Sequence, residues 1–584
     1  MTKQSLWMCG VVTLMVGFSF VSGAFAAERP NIVLIMTDDQ GYGDLGCHGN
    51  DKIRTPRIDE LYGESLRLTQ FHVSPVCSPT RASLMTGRWN YRTGVVDTFK
   101  GRSRMHADEY TLAEALSEAG YVTGIFGKWH LGDNNPLRAM DQGFQESLVH
   151  QGGGIAQPAN VIDNGYFDPL VFVNGQPETR KGYCTDIFGD ATVEFIRENK
   201  DKPFFAYVPT NAPHVPLLVD EKYVTPYLDM GLDDFTAKVY AMIENIDENV
   251  GKIIDVVDEL GLKENTIFIF MTDNGGQIPG NSPRFNAGLR DSKGSVYQGG
   301  IQVPFIVRWP KGFPQGVDNG VVSAHIDLFP TLLAACGVES KGERVVDGVN
   351  ILPILQGKEN ALPDRPLFFQ WHRGDAPEAY NASAVRYGDY KLVKDKELYN
   401  LKNDPQEKKN LIESPKEAKT VAELKGMYDE WFASINAERD GFAPPEMYIG
   451  AAEENPAILT PQDWNDSAGW YHGKGGTWAL YAEQAGDYEV TLHFIDEIEA
   501  AEITAGVKGT DNVLQETVQV DGKSVTFKKV LTLEKGSLKL AVSVGGKYKG
   551  KGIRFAEVAL VGAPKTWDST VYHPKAGVAM QASK

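Results

Sequence analysis

The sequence predicts an α/β fold in which helices cover both faces of a large, mixed, mostly parallel β-sheet. Runs of apolar residues with almost no polar interruption are typical of strands buried on both faces, and four occur at 30–36, 204–209, 266–271 and 304–309. Amphipathic helical patterns lie between them, the longest over 234–260. Strands that alternate with helices in this way indicate a parallel sheet.

The first 26 residues predict a secretory signal peptide. Lys3 supplies a positive start, an apolar run covers 6–20, and Ala24-Phe25-Ala26 offers a cleavage site of small residues. An uncleaved membrane anchor is the alternative, but this run is shorter than the roughly 20 residues that span a bilayer. We therefore expect a secreted or periplasmic protein that has no membrane segment after cleavage.

The patterns then change twice along the chain. Residues 27–383 carry the α/β pattern, and 384–443 predict a small α+β subdomain that closes it. Residues 444–563 alternate short strands with turn signals and show no helical pattern, which is typical of a separate all-β sandwich resembling carbohydrate-binding domains. Residues 564–584 are expected to form a tail. Aromatic residues of the sandwich that could stack on sugars, or else pack its interior, are Trp464, Trp470, Tyr471 and Trp478.

Composition excludes some classes of function. The 584 residues include 58 Lys and Arg against 77 Asp and Glu, a net charge of −19, which argues against a nucleic-acid partner. After loss of the signal peptide four cysteines remain, too few for a disulfide scaffold. If Cys77 has chemistry of its own, at most one bridge can form among Cys47, Cys184 and Cys336.

Two of the predicted strands end in the same way. Asp38 and Asp39 follow the first strand, and Asp273 and Asn274 follow the strand at 266–271. Ligands bind beyond the carboxyl ends of parallel strands, and hard oxygen donors suit Ca²⁺ or Mg²⁺. The pattern therefore indicates a divalent-cation site, although Asp and Asn also begin ordinary turns.

A second motif surrounds Cys77. Ser78 suits a helix N-cap and Pro79 the first helical position, so the motif predicts a helix that ends at Gly87. Free N–H groups and the helix dipole favour an anion at that end, and Arg81 follows one turn later. A buried structural cysteine is the alternative interpretation.

Cys77-Ser-Pro-Thr-Arg81, followed by Leu84-Met-Thr-Gly87-Arg88, resembles the signature of the formylglycine-dependent type I sulfatases of the alkaline phosphatase superfamily. The family pattern is Cys-x-Pro-x-Arg, most often with Ser where this chain has Thr80. The resemblance covers roughly residues 28 to 440 and includes, in the family's order, motifs at 38–46, 127–132, 213–216, 272–275, 293–304 and 397–405.

The resemblance implies a mechanism. A formylglycine-generating enzyme would oxidise Cys77 to formylglycine; one hydroxyl of the hydrated aldehyde would attack sulfur, and the second would expel the sulfate. The implied roles of the other residues are as follows: Asp38, Asp39, Asp273 and Asn274, with the modified Cys77, to hold Ca²⁺ or Mg²⁺; Arg81 and Lys128 to stabilise charge; His214 and Lys293 to contact sulfate and leaving oxygen, one of them as general acid; His130 to take the proton in the elimination step.

The implied function is hydrolysis of sulfate esters, with a sulfated carbohydrate as substrate. Two alternatives stay open: a phosphodiesterase or phosphonate hydrolase on the same scaffold, and a glycan-binding relic without turnover. The complete catalytic set argues against a relic. The Gly- and aromatic-rich segment 133–180 is expected to line the pocket, and further substrate-binding candidates are Trp89, Arg102, Arg284, Arg290 and His372.

Overall fold

The computed structural model describes residues 29–161, 164–280, 282–359, 361–465, 474–495, 501–518, 523–545 and 552–572. The predicted signal peptide, residues Trp470 and Tyr471 and the end of the predicted tail lie outside these ranges.

A ten-stranded sheet forms the centre of the amino-terminal part. The strands of this part are β1 (Asn31–Thr37), β2 (Leu66–Leu68), β3 (Phe71–His72), β4 (Val122–Lys128), β5 (Glu146–His150), β6 (Leu170–Val173), β7 (Gln176–Thr179), β8 (Phe204–Pro209), β9 (Thr266–Thr272), β10 (Phe305–Arg308), β11 (Val317–Asn319) and β12 (Ser323–Ala324). Their order in the large sheet is β11-β2-β10-β9-β1-β8-β4-β5-β6-β7, and β3 pairs with β12. The run β9-β1-β8-β4-β5 is parallel, whereas β10 is antiparallel to β9. The predicted mixed, mostly parallel sheet is confirmed.

Helices cover both faces of this sheet. The α-helices are α1 (Pro56–Gly63), α2 (Cys77–Thr86), α3 (Leu112–Glu118), α4 (Cys184–Asn199), α5 (Glu221–Asp229), α6 (Asp234–Glu259), α7 (Gln298–Ile301), α8 (Leu328–Cys336), α9 (Leu352–Leu355) and α10 (Ala418–Ala437), the last of which packs on a smaller sheet described below. The long predicted helix is α6, which begins after Asp233, whose side chain accepts a hydrogen bond from the Thr236 amide. Within the described residues, none of these helices combines the length and apolar character that a membrane crossing needs.

The core lies on both sides of β1, as its continuous apolar sequence requires. Leu34 and Met36 pack into one cluster with residues of α2, α3 and α8. Val33 and Ile35 face the opposite cluster, to which α6 contributes. All four side chains are at most 1% exposed, and burial on this scale stabilises the sheet by about 1.5–3 kcal/mol per large apolar side chain. The cysteines Cys47, Cys77, Cys184 and Cys336 are all unpaired thiols.

A small antiparallel sheet packs beside the large one. Its strands are β13 (Leu367–Gln370), β14 (Ser383–Tyr387), β15 (Tyr390–Val393) and β16 (Glu397–Asn400). Helix α10 covers it, with Trp431 stacked on Phe368 at 4.8 Å between ring centroids. Trp89, from the α/β region, meets Trp431 edge-on at 6.3 Å, so one aromatic core joins the two parts.

The carboxyl-terminal region is all β. Its strands are β17 (Met447–Ile449), β18 (Ala457–Leu459), β19 (Gly475–Ala482), β20 (Gly486–Phe494), β21 (Ala501–Val507), β22 (Val513–Val518), β23 (Ser524–Thr526), β24 (Leu531–Leu533), β25 (Gly536–Gly545) and β26 (Ile553–Leu560). They form the sheets β17-β19-β25-β21-β22 and β18-β26-β20-β23, with β24 beside β20. Trp464 and Trp478 are fully buried and pack against each other, so both are core residues of the sandwich.

The sandwich is joined closely to the α/β region. Arg554 donates a hydrogen bond to the Pro158 carbonyl at 2.7 Å. Buried Glu454 accepts hydrogen bonds from the Asn134 side chain at 3.2 Å and the Asn135 amide at 2.7 Å. A cavity of about 110 Å³ lies at this junction.

The described part of the predicted tail, residues 564–572, packs against the rest of the protein. Tyr572 is 2% exposed and packs against Phe172 of β6, and Trp567 donates a hydrogen bond to the Pro456 carbonyl. The expectation of a tail from residue 564 is therefore wrong as far as 572, because these two aromatic side chains are anchored at the junction.

Glu454 makes the stability of the protein depend on pH. Burial raises the pKa of Glu454 from 4.5 to about 7. The folded protein holds this proton more tightly than the unfolded chain does. The contribution of Glu454 to the free energy of unfolding is therefore complete below pH 4.5 and is lost as the pH rises toward 7. Between pH 5 and pH 8 the free energy of unfolding of the parent protein should fall by roughly 3 kcal/mol because of this group, at about 1.36 kcal/mol per pKa unit. Glu454→Gln should remove that part of the fall.

Denaturant unfolding at a series of pH values measures this difference. The matched control is Glu453→Gln, since Glu453 is the exposed neighbour, and it should leave the pH profile of the parent protein unchanged. Identical profiles for the two variants would contradict the assignment to Glu454.

Candidate active site

The ends of β1 and β9 bring four oxygen-bearing side chains together. The two strands are parallel and paired in register from Asn31–Thr266 to Thr37–Thr272. The next residues, Asp38 and Asp39 on one strand and Asp273 and Asn274 on the other, therefore lie side by side and are almost completely buried. Asp39 adopts a φ of +64°, a strained backbone conformation for a residue with a β-carbon.

Cys77 lies at the amino terminus of α2, beside this cluster. The helix begins at Cys77 itself with Val76 as N-cap, so the predicted cap at Ser78 is wrong by two residues. Ser78 already has helical geometry, and its hydroxyl is buried without a hydrogen-bond partner. The helix ends at Gly87, as predicted, where φ is +68°.

Each of the three carboxylates pairs with a cation. Asp38 accepts from the Lys128 ammonium at 2.5 Å, and both side chains are completely buried. Asp273 accepts two hydrogen bonds from the Arg81 guanidinium, at 2.7 and 3.2 Å. Lys293 lies 2.6 Å from Asp39. These three pairs bring six of the predicted catalytic or metal-binding residues into one site.

The charges around the cluster move the pKa values of Asp38 and Asp273 in opposite directions. Burial opposes ionisation of Asp38, but Lys128, His214, Arg81 and Lys293 together hold the pKa of Asp38 well below its usual range. Burial and the charge of Asp38 raise the pKa of Asp273 above its usual range. Neighbouring carboxyl groups that share a dry site repel each other, so one ionises at the expense of the other.

His130 faces Cys77 in a defined tautomer. Its Nδ1 lies 3.5 Å from the Cys77 sulfur, and its Nε2 lies 3.0 Å from the Thr98 carbonyl oxygen. Burial, reinforced by Lys128, lowers the pKa of His130 well below its ordinary value, so the ring is neutral. Because a carbonyl oxygen only accepts, Nε2 carries the proton and Nδ1 presents a lone pair to residue 77.

His214 and Lys293 lie on the open side of the cluster. Their side chains are 12% and 19% exposed, whereas those of Asp38, Lys128 and Asp273 are completely buried. His214 Nε2 is 3.8 Å from Asp39, and its Nδ1 bonds the Val215 carbonyl oxygen. Burial, and then the charge of Lys293, lowers the pKa of His214.

Three buried oxygens in the cluster have no hydrogen-bond partner: Oδ1 of Asp38, Oδ2 of Asp39 and Oδ1 of Asn274. A buried polar atom is costly unless it is satisfied, so orphan oxygens gathered in one place fit a cation. Ligand atoms of Asp38, Asp39 and His214, and those of Asp38, Cys77 and Asp273, lie within 4.8 Å of one another. The donors are mainly hard oxygens, which fits Ca²⁺ or Mg²⁺.

Arg284, a predicted substrate-binding residue, is instead enclosed beneath the site. Its guanidinium binds Asp44 at 2.5 Å, the Asp39 carbonyl at 2.8 Å and the Gln277 carbonyl at 2.6 Å. The Asp44 carboxylate in turn accepts from the Gly41 amide. Arg284 therefore ties the loop after β1 to the loop after β9, and its donors are directed away from any substrate.

The other four substrate-binding candidates are dispersed. Trp89 is 5% exposed in the aromatic core shared with α10, so the proposal of a pocket role is wrong. Arg290 stacks on Tyr297 and bonds Tyr399 of the small sheet. The last two lie on segments that an ion pair joins: Arg102 pairs with Asp375, and His372 accepts a hydrogen bond from the Glu378 amide.

Sequence reasoning missed two residues that support His130. The Thr98 carbonyl that bonds His130 also accepts a hydrogen bond at 2.8 Å from the side chain of Gln462, which precedes the sandwich strand β19. The Gly101 amide donates to the Gln462 carbonyl at 3.0 Å. A main-chain carbonyl and a distant Gln carry no motif, so no sequence signal marks them.

Comparisons with known proteins agree with this site. The sulfatase family model matches residues 30–338, and a second, described as N-sulphoglucosamine sulphohydrolase, C-terminal, matches residues 288–432. The chain belongs to the sulfatase family, whose members are sulfuric ester hydrolases and include carbohydrate sulfatases.

Individual relatives are about 30% identical to this chain over the aligned residues. Human arylsulfatase A is 33% identical over 409 residues, which cover 64% of this chain and 76% of the relative. N-acetylgalactosamine-6-sulfatase of Canis lupus familiaris is 30% identical over 402 residues, covering 65% and 74%. The crystal structure of Ps i-CgsB superposes with a TM-score of 0.63 at 29% identity, covering 70% of this chain and 94% of that one.

A phosphonate monoester hydrolase of Agrobacterium radiobacter also superposes, with a TM-score of 0.52 at 21% identity over 70% of this chain and 96% of that one. At this identity the similarity extends to the fold alone.

Replacing Arg284 should destabilise the protein strongly. Arg284→Met leaves Asp44 buried without a compensating charge, and breaking a buried pair in this way costs about 3–5 kcal/mol. The matched control is Arg197→Met, which breaks the exposed pair with Glu259 and should cost at most about 1 kcal/mol. Urea unfolding measures both; equal, small changes would show that Arg284 does not hold the two loops.

Proposed function

We propose that this protein is an exported hydrolase of sulfated carbohydrates that acts through formylglycine in place of Cys77 and a divalent cation, Ca²⁺ or Mg²⁺. The observation that carries the proposal is the position of Cys77. It is buried at a helix amino terminus, in contact with His130, beside two carboxylates and an amide that each retain an orphan oxygen. A buried structural thiol would have no need of these neighbours.

Several comparisons support a carbohydrate substrate. The relatives include enzymes named N-acetylgalactosamine-6-sulfatase, and Ps i-CgsB has a structure described as a complex with k-i-k-neocarrahexaose, 28% identical with a TM-score of 0.63. Export is supported by the predicted signal peptide at residues 1–26.

The residues around position 77 have distinct chemical capacities. A formylglycine hydrate would supply two hydroxyl groups, and the bound cation would supply positive charge for the sulfate oxygens. His130 Nδ1 can accept a proton from the group at residue 77, since its lone pair faces that position. Arg81 and Lys128 hold their positive charges through buried pairs with Asp273 and Asp38.

The open side of the site is suited to the leaving group. Lys293 and His214 are the more exposed of the catalytic residues, so the alcohol portion of a substrate would approach from their side. Burial opposes the charge of Lys293, but Asp39, Cys77 and Asp38 together outweigh it and raise the pKa of Lys293, which keeps its ammonium protonated as a donor. Burial lowers the pKa of His214, and its Nδ1 donates to the Val215 carbonyl oxygen, so Nε2 of the neutral ring presents a lone pair that can accept a proton.

Mass spectrometry and turnover test the proposal together. A peptide containing residues 77–81, isolated from a host with a formylglycine-generating enzyme, should be lighter by about 18 Da than the Cys form. Cys77→Ala should abolish sulfate release from a panel of sulfated glycans. The matched control is Cys336→Ala, which removes another buried thiol and should retain turnover.

An unmodified Cys77 in an active preparation, or sulfate release by Cys77→Ala, would refute the mechanism. Phosphonate and phosphodiester substrates belong in the same assay. A clear preference for them over sulfate esters would favour the alternative function.

A further inference from the structure

We propose that Arg373 binds a second anionic group of the substrate, a sulfate or a carboxylate on the sugar next to the one that carries the scissile ester. This inference rests on the proposed function. It assigns a specificity-determining role to a residue outside the catalytic set.

Arg373 is connected to the catalytic residues through Thr98. The Arg373 guanidinium donates to the Thr98 hydroxyl at 3.0 Å, and the carbonyl of the same residue holds His130 at 3.0 Å. His130 in turn contacts Cys77. A single residue therefore separates Arg373 from the acid–base group of the site.

A second route leads through Trp371. Gly294, which follows Lys293, has a φ of +82° and lies so close to the Trp371 ring that a β-carbon there would come within 2.9 Å of it. Because Gly294 is next to Lys293 in the chain, this contact places the segment 371–375, which follows strand β13, on the open side of the site, where Lys293 and His214 lie.

The guanidinium is held in place before any ligand arrives. Asp97, which is 2% exposed, accepts from Arg373 at 2.7 Å and from the Trp371 indole at 3.1 Å. The guanidinium also lies over the rings of Phe99, at 4.5 Å, and Trp371, at 4.9 Å. A side chain that is already ordered loses little further entropy on binding.

The supporting loop is itself fixed. Gln462 clamps Thr98 and Gly101 from the sandwich side, and Arg102 pairs with Asp375 at 2.8 Å across the two facing segments. The platform of Phe99, Trp371 and Arg373 is therefore rigid on both sides.

The geometry favours an anion as the ligand. The supporting carboxylate of Asp97 is on the buried side, whereas half of the Arg373 side chain, 50%, is exposed. An arginine fork binds the planar or tetrahedral oxygens of carboxylate and sulfate with two parallel hydrogen bonds. In a chain with a net charge of −19, a fixed, outward-facing cation beside the active site would attract a second anion.

Substrates that differ only in the second anion test this role. The set is para-nitrophenyl sulfate, a monosulfated disaccharide with a neutral neighbouring sugar, and the matching disaccharides in which that neighbour carries a uronate carboxylate or a second sulfate. Arg373→Gln should raise KM for at least one of the dianionic disaccharides about 10- to 100-fold, the range for a lost charged hydrogen bond. The increase should exceed that for the single-anion substrates at least tenfold, with the loss mainly in KM rather than kcat.

The two dianionic substrates distinguish carboxylate from sulfate as the bound group. Arg373→Lys keeps the charge without the fork and should recover part of the affinity. The matched control is Arg197→Gln, whose parent side chain is 46% exposed and paired with Glu259, and it should not change the substrate preference. Equal losses on all substrates, or no change on either dianionic one, would overturn the proposal.

A binding measurement separates this inference from the proposed function. In Cys77→Ala protein, titration calorimetry with the intact dianionic disaccharides should show the same selective loss when Arg373→Gln is added. Selective binding without any turnover in the parent protein would refute the proposed function and leave the inference standing. Turnover in the parent protein without selective binding would overturn the role of Arg373 and leave the proposed function standing.

Discussion

Three carboxylates held out of water at the edge of one sheet are the constraint on which the rest of this structure depends. Each pairs with a cation, Asp38 with Lys128, Asp273 with Arg81 and Asp39 with Lys293. When Asp273 is ionised as well, the six charges sum to zero, yet three oxygens of the cluster have no hydrogen-bond partner. A divalent cation in this place would satisfy them and leave the site with two positive charges in excess, which suits a sulfate ester in a medium where charges interact strongly.

The fold is arranged to hold that cluster. Two parallel strands supply the carboxylates, and α2 points its amino terminus and Cys77 at them. Arg284 braces the two acidic loops from beneath through Asp44. The carboxyl-terminal sandwich contributes as well, because Gln462 holds the carbonyl that fixes His130. Its close junction with the α/β region, through Glu454 and Tyr572, makes it a part of the enzyme's frame.

The parts that the sequence predicted well are those in which a physical rule acts locally. Continuous apolar runs located β1, β8 and β9 to within a residue, and parallel pairing made the two acidic strand ends neighbours. Partners distant in sequence were not predictable. Nothing in the sequence pattern distinguishes Arg284, which is buried against Asp44, from Arg373, whose side chain pairs with Asp97 and is half exposed. Burial in a shared aromatic core likewise removed Trp89 from the surface.

The central claim is that the buried carboxylates form a cation site, and calcium titration of chelator-treated Cys77→Ala protein tests it most directly. We expect one saturable site by calorimetry, with stabilisation against unfolding of about 2.7 kcal/mol at a calcium concentration 100 times Kd. Asp273→Asn should remove the site, while Asp255→Asn, at an exposed position, should not. Absence of saturable binding, or equal affinity in the Asp273→Asn variant, would contradict the account.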